Sequence, residues 1–323
     1  MIPFKNVTNV KKPHTSQGER AKDAVFSVKS IGVNKENQGC KKDESLICPH
    51  VSAKSWAIVS GETGALLFGK NHTDRREIAS LTKVMTCYTV LNLVKRWDIK
   101  FQSAYVDVPR QAALINGTRA EFAYGDRLTV WDLLHGLMLP SGNDAALCLA
   151  EHFGQLLFKS SIAYLGKMAL IGTKFPCKYF IAEMNVNAKI LGLNHTNYAN
   201  PHGLANTNNK STAEDLGRLC AAAMKLPKFR QIANCKEYQC ECLTYKGQKK
   251  MFKWVNTHKL LWEGFNGIKT GITPHAGPCL ASNYEKDGVN VIIILLNSKS
   301  MEARWSETLA LTKWAQRKLK DVA

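Results

Sequence analysis

In the stretch ASLTKVMT, residues 79–86, a serine and a lysine stand three positions apart where apolar helical periodicity begins. On a helix Ser80 and Lys83 share a face, so the amine can reach the hydroxyl. A serine hydroxyl is a weak nucleophile until a neighbouring base takes its proton, and a lysine serves as that base only with a depressed pKa. Burial and a second cation are the two ways to depress it. A position near the helix N-terminus adds free N–H groups that favour developing negative charge. The spacing alone is weak evidence, because a chain of this length carries such a pair by chance about once.

Two further clusters change the odds. PSGND, residues 140–144, puts Ser141 and Asn143 at a turn between two helical segments, with Gly142 expected to permit the sharp backbone. GIKTG, residues 267–271, puts Lys269 and Thr270 on an expected strand. Gly271 there lets a substrate backbone lie against the strand edge. In isolation the first reads equally as an N-capping turn and the second as a solvent lysine in a strand. Each occurs once, in this order, on helix, loop and late strand.

The elements that must bring these together follow from periodicity. SWAIVS and GALLFG read as strands joined by the hairpin signal GETG. A polar crossing leads to the helix over 80–97, and residues 103–128 read as short strands and turns punctuated by Gly117 and Gly125. LTVWDLLHGLMLP and NDAALCLAEHFGQLL have helical periodicity, and further helices are expected at about 181–192 and 212–225. From Cys242 onward strand character returns, ending in a hairpin that turns at EKDG, and an amphipathic helix over 301–320 closes the chain. Early and late strands that both need burial would pair in one antiparallel sheet covered by helices, with the helical middle as a second lobe. A ligand site is expected between the lobes.

With these elements in place, the motifs resemble the S-x-x-K, S-x-N and K-T-G set of the penicillin-recognising serine D,D-peptidases. The closest resemblance is to the low-molecular-mass D-alanyl-D-alanine carboxypeptidases. It is carried by ASLTKVMT, LMLPSGNDAALCLAE, MNVNAKILGLNHTNYANPHGL, STAEDLGRLC and GIKTGITPHAGPCLA, in the family's order, and runs from about residue 49 to 320. The resemblance implies an α+β fold of the β-lactamase/D,D-peptidase type: a five-stranded antiparallel sheet covered by helices, plus an all-helical lobe. It implies acyl transfer through Ser80 with Lys83 as base, kept partly neutral by Lys269 and burial. It implies that Ser141 relays a proton between the lysines and the departing amine, and that Asn143 bonds the substrate backbone. The oxyanion would rest on the N–H groups of Ser80 and Ile272, beside Gly271. Lys269, Thr270 and Arg304 would meet the substrate's terminal carboxylate, although a solvent-facing Arg304 on the closing helix reads nearly as well. The implied partners are a D-Ala-D-Ala-like peptide with a free carboxylate and β-lactams as covalent inhibitors; no cofactor or metal is called for.

The middle motif is Ser-Gly-Asn, where class A β-lactamases usually have Ser-Asp-Asn, and their Glu-x-x-Leu-Asn loop has no counterpart in NHTNYANPHGL. A β-lactam is therefore expected to acylate Ser80 and leave slowly. Two other readings stay open: a serine hydrolase of the same fold acting on another peptide, amide or ester, and a non-catalytic binding protein with a vestigial site. Residues 159–180 are longer and more apolar than the family pattern leads one to expect, an insertion that could reshape the cleft rim. The sequence stops after the closing helix, so the small β-rich domain and membrane-associating tail frequent in the family are expected to be absent.

Composition bounds the rest. At 323 residues with 45% apolar content the chain can bury a sizeable core. Residues 1–48 read as a polar, flexible extension and 49–323 as the catalytic domain. The formal charge of +18 is spread along the chain, with no zinc-finger spacing or aromatic-interleaved basic stripe, so nucleic acid is not an expected partner. No apolar run reaches the roughly 18 residues of a membrane span, and no secretory signal is visible. The family usually acts outside the cytoplasm, so the compartment stays open; sequons at Asn6, Asn71, Asn116, Asn194 and Asn209 do not settle it. Cys87, Cys148, Cys220 and Cys279 read as small buried apolar groups, and Cys235, Cys240 and Cys242 as thiols of a polar loop, with a metal or disulfide as the alternative.

Overall fold

The computed structural model describes residues 47–164 and 175–320. The extension expected over 1–48 therefore lies almost wholly outside the described residues, as does the middle of the 159–180 insertion.

A five-stranded antiparallel sheet of order β2-β1-β11-β10-β9 forms the centre. Its members are β1 (Ser55–Ser60), β2 (Leu66–Lys70), β9 (Ile268–Gly271), β10 (Cys279–Lys286) and β11 (Val289–Leu296). The strands expected to meet do so, with Ser55 opposite Leu296 and Ser60 opposite Val291. Unbroken apolar runs in β1 and β11 are what a strand covered on both faces requires. The period of two sends Ala57, Val59, Ile292 and Ile294 into one core, and Trp56, Ile58, Ile293 and Leu295 into the other.

The closing helix α8 (Ala303–Lys320) fills the second core with Leu311 and Ala315, backed by Trp305 and Trp314. The first core is filled by α1 (Thr82–Arg96), entered through a 3-10 turn at Ala79–Leu81, and by α6 (Ala213–Met224), whose Thr212 hydroxyl caps the Asp215 N–H at 3.0 Å. Leu133, Leu137, Leu149 and Phe153 extend this core into the second lobe.

That lobe holds α2 (Arg110–Ala113), α3 (Val130–Met138), α4 (Asn143–Tyr164), α5 (Pro176–Ile190) and α7 (Pro227–Ala233). A capping box between Thr129 and Asp132 starts α3. Besides its helices the lobe carries a small sheet of order β4-β5-β7-β8, from β4 (Tyr105–Asp107), β5 (Arg127–Thr129), β7 (Glu237–Leu243) and β8 (Lys249–Val255). β7 and β8 thus pair away from the central sheet, and Cys240 and Cys242 lie on a strand. The loop reading of these cysteines is corrected: alternation turns both inward as buried free thiols. A two-stranded ribbon pairs β6 (Lys210–Ser211) with β3 (Arg76–Glu77), which immediately precedes, in sequence, the turn that holds Ser80. Among the described residues no helix is long and apolar enough to cross a membrane.

Candidate active site

Ser80 sits in the 3-10 turn that leads into α1, so its hydroxyl and the Lys83 amine one turn later share a face. Lys83 Nζ lies 3.0 Å from Ser80 Oγ. It also donates to Asn143 Oδ1 at 2.7 Å and to the His202 carbonyl at 2.7 Å. The far end of the Asn143 amide donates to the Asn116 carbonyl at 2.8 Å, which fixes the amide so that its oxygen faces the lysine.

Lys83 is completely buried. Burial holds its pKa well below the ordinary lysine range, Lys269 pushes the same way, and Asp144 opposes them. Asp144 is itself buried, taking N–H bonds from Ala120 at 2.8 Å, Ala145 at 2.9 Å and Phe122 at 3.2 Å. Its carboxylate thereby ties the 116–122 loop to the start of α4.

The opposite wall is β9, the free edge of the sheet. A Cβ on Gly271 would lie 3.0 Å from Ser80 N and 3.1 Å from Ala79 Cβ, so glycine lets the strand lie this close to Ser80 without displacing its neighbours. Gly203 makes the same approach from the other side, where a Cβ would stand 1.9 Å from the Ala79 carbonyl oxygen. Between them Ala79 is held at φ 48°, a left-handed conformation uncommon outside glycine. Among the described residues, neither Ser80 N–H nor Ile272 N–H donates to a protein acceptor.

Lys269 is buried and its amine donates to the Thr270 carbonyl at 3.1 Å. Burial, reinforced by the Arg304 charge, lowers its pKa to about 7. Thr270 Oγ1 is 2.9 Å from Thr257 Oγ1, and the Thr257 N–H donates to the Leu139 carbonyl at 3.1 Å, linking the strand to the turn before Ser141. Arg304 is not the solvent-facing residue of the alternative reading. It is 4% exposed, donates to the Gly271 and Cys279 carbonyls at 3.2 and 3.3 Å, and lies over the Trp305 ring.

Ser141 lies on the turn before α4, and Gly142 permits that turn through space and not through its own φ. The left-handed backbone belongs to Ser141 itself, at φ 67°, and not to Gly142. Gly142 is required for space: a Cβ there would meet Asp144 Oδ1 at 2.6 Å and the Gly136 carbonyl at 2.7 Å. Ser141 Oγ makes no hydrogen bond among the described residues. Sequence reasoning missed the His202 carbonyl, Asp144, Thr257 and Gly203. The first and last belong to NPHGL, which marks the family but gives no sign that its backbone faces a lysine.

A family model described as D-alanyl-D-alanine carboxypeptidase matches residues 41–156 and 176–300, and its interruption overlaps most of the insertion read from the sequence. The D-alanyl-D-alanine carboxypeptidase of Streptomyces sp. strain K15 is 35% identical over 277 residues, covering 82% of this chain and 88% of that protein. DacF of Bacillus subtilis, another D-alanyl-D-alanine carboxypeptidase, is 29% identical over 265 residues, or 81% of this chain and 62% of its own length. The crystal structure of the Streptomyces K15 DD-transpeptidase superposes with a TM-score of 0.73 at 32% identity, over 83% of this chain and 98% of that one. With a family model matched over most of its length and a relative above 30% identity, the chain belongs to the D-alanyl-D-alanine carboxypeptidase family.

Proposed function

We propose that this protein is a serine-type D-Ala-D-Ala carboxypeptidase that works through an acyl-enzyme on Ser80. The observation that carries the reading is the setting of Lys83. A neutral amine has two N–H donors and one lone pair. The Asn143 and His202 oxygens can only accept, so they take the two donors and leave the lone pair for the Ser80 hydroxyl. Burial and Lys269 supply the neutral state.

Attack on the penultimate carbonyl puts negative charge on its oxygen. The N–H groups of Ser80 and Ile272 receive that charge, each contributing about 3 kcal/mol to the transition state. Lys269, as ammonium, and the Thr270 hydroxyl receive the terminal carboxylate, with Arg304 behind them holding the Gly271 carbonyl. The proton taken by Lys83 passes through the uncommitted Ser141 hydroxyl to the departing D-alanine nitrogen. Water then cleaves the ester with the same groups in reverse.

A β-lactam enters the same sequence and stays. The 194–204 loop offers Lys83 a backbone carbonyl, and Asp144, the carboxylate that bears on Lys83, is committed to backbone N–H groups. Among the described residues no carboxylate is hydrogen-bonded to Ser80 or Lys83, so none is placed to drive deacylation. Intact mass after penicillin treatment is expected to rise by one penicillin per chain, with the adduct lost in Ser80→Ala, and D-alanine is expected to be released from a pentapeptide ending in D-Ala-D-Ala. An unmodified mass and no D-alanine would overturn the proposal; an adduct without D-alanine would leave the hydrolase of another peptide, amide or ester.

A further inference from the structure

A cavity of about 460 Å³ opens where the turn between β1 and β2 leans on α6, and the acyl-transfer chemistry gives it no role. The strand register sets it apart from the nucleophile. Gly271 is opposite Cys279, and the pairs Leu280 with Leu295 and Ser55 with Leu296 bring Gly271 level with Ser55. The turn begins after Ser60, at the far end of β1. At the spacing of residues along a strand that is about 17 Å away.

One face of α6 supplies the floor. Arg218, Ala221, Ala222 and Lys225 line the cavity at positions i, i+3, i+4 and i+7, which helical geometry stacks together. The arrangement is a cation at each end, about 10 Å apart along the helix axis, with small side chains between them that leave the space open. The turn closes one side. Gly64 has φ 75°, and a Cβ there would stand 3.4 Å from both Arg218 Cα and Ala221 Cβ. Thr63 from that turn and Tyr88 from α1 complete the polar lining.

Each of these polar side chains has a donor to spare. Neither the Lys225 ammonium nor the Tyr88 hydroxyl makes a hydrogen bond or ion pair among the described residues. Thr63 Oγ1 accepts from the Ala65 N–H at 3.2 Å and keeps its own hydrogen. Arg218 gives one N–H to Glu214 Oε1 and one to the Gly192 carbonyl at 3.4 Å, so three of its five N–H groups remain. Glu214 is the carboxylate that faces Arg218, and its other oxygen lies 2.8 Å from His72 Nδ1. Glu62, next to Thr63 in the turn, is exposed, and the lining itself holds no carboxylate. Two cations and two hydroxyls brought from three elements select an anion. They surround a volume and do not share a plane, which suits the three terminal oxygens of a phosphate better than the two of a carboxylate.

We infer that this cavity is a second ligand site, remote from Ser80, for a phosphate group, free or carried as the monoester of a small molecule, with Arg218 and Lys225 as its counter-charges. The test is calorimetric titration of the full chain with inorganic phosphate and, separately, with glycerol 3-phosphate, at constant ionic strength so that screening does not vary. One phosphate per chain is expected to bind. Lys225→Ala is expected to weaken it about tenfold, the scale of one charge-assisted hydrogen bond, and Tyr88→Phe about threefold. The charge-matched Lys313→Ala, exposed on α8 across the sheet, is expected to leave the affinity unchanged. Tighter binding of glycerol 3-phosphate assigns the site to a monoester, and equal binding assigns it to the free anion. No saturable binding of either probe overturns the site, and so does an affinity that Lys225→Ala leaves intact. An equal loss in Lys225→Ala and Lys313→Ala also overturns it, because phosphate is then held by the diffuse charge of +18. Melting temperatures in chloride confirm that each variant is folded, and none of these readouts depends on acylation of Ser80.

Discussion

The two walls of the cleft each bury a lysine, and they treat it differently. On the helical wall Lys83 has three oxygens within 3.0 Å, from Ser80, Asn143 and His202. On the strand wall Lys269 has one carbonyl, that of Thr270 at 3.1 Å, and a second cation behind it. Both amines lose affinity for protons through burial first and a like charge second. The hydrogen bonds separate the roles: an amine whose donors are used up offers its lone pair, and one with donors to spare is available to an anion. Burial lowers the proton affinity of both amines, and in the proposed mechanism their hydrogen bonds make Lys83 the base and Lys269 the binding charge.

Replacing each lysine by methionine tests that division, and the larger loss is expected on the helical wall. Lys83→Met should slow acylation by a fluorescent penicillin about 10³-fold, the scale of a lost general base. Lys269→Met should cost about 10²-fold in kcat/KM for D-alanine release, the scale of an unpaired substrate carboxylate. Its loss should be smaller for an ester or amide lacking that carboxylate. Equal losses on both substrates would end the distinction between base and binding charge.

A smaller effect sharpens the electrostatics of the strand wall. Lys269, with a pKa of about 7, must be protonated to hold the carboxylate, so kcat/KM should decline as pH rises through that value. Arg304→Gln removes the neighbouring cation and should move this alkaline limb to higher pH; an unmoved limb would show that Arg304 does not act on Lys269. On the helical wall Asp144→Asn should move the acid limb to lower pH, because the carboxylate is the one group raising the Lys83 pKa. It should also cost about 1–3 kcal/mol of stability, since one amide oxygen replaces two carboxylate oxygens in receiving three N–H groups.

Much of this contrast was legible in the residues and part was not. Ser80 and Lys83 are close in sequence and on one helix, so their contact follows from helical spacing alone. The pairing of β1 with β11 followed from two apolar runs that each needed cover on both faces. Backbone partners were invisible: the His202 carbonyl and the Thr257 link to Leu139 depend on loop paths that side-chain types do not encode. That Gly142 permits the sharp turn follows from its residue type, whereas the left-handed φ of Ser141 beside it has no signal in the sequence. Cys240 and Cys242 stand among charged neighbours, yet EYQCECL alternates as a strand with one buried face should.

The smallest effect is thermodynamic, and it belongs to Lys269 alone. Its folded pKa of about 7 lies below the ordinary 10.5, so between those values the unfolded chain holds a proton that the folded chain has lost. Stability then rises with pH across that window, and below it the cost of burying the charge is present in full. At pH 7 Lys269→Met should be the more stable protein by about 1–2 kcal/mol, in line with a functional group that strains its surroundings. From pH 7 to pH 9 the advantage of the variant should shrink, at no more than about 1.4 kcal/mol per pH unit, because one proton is involved. Denaturant unfolding of both proteins at the two pH values measures the difference directly, with all other titrating groups common to both. A constant difference would mean that Lys269 keeps its proton in the fold, and that the strand wall carries a permanent charge.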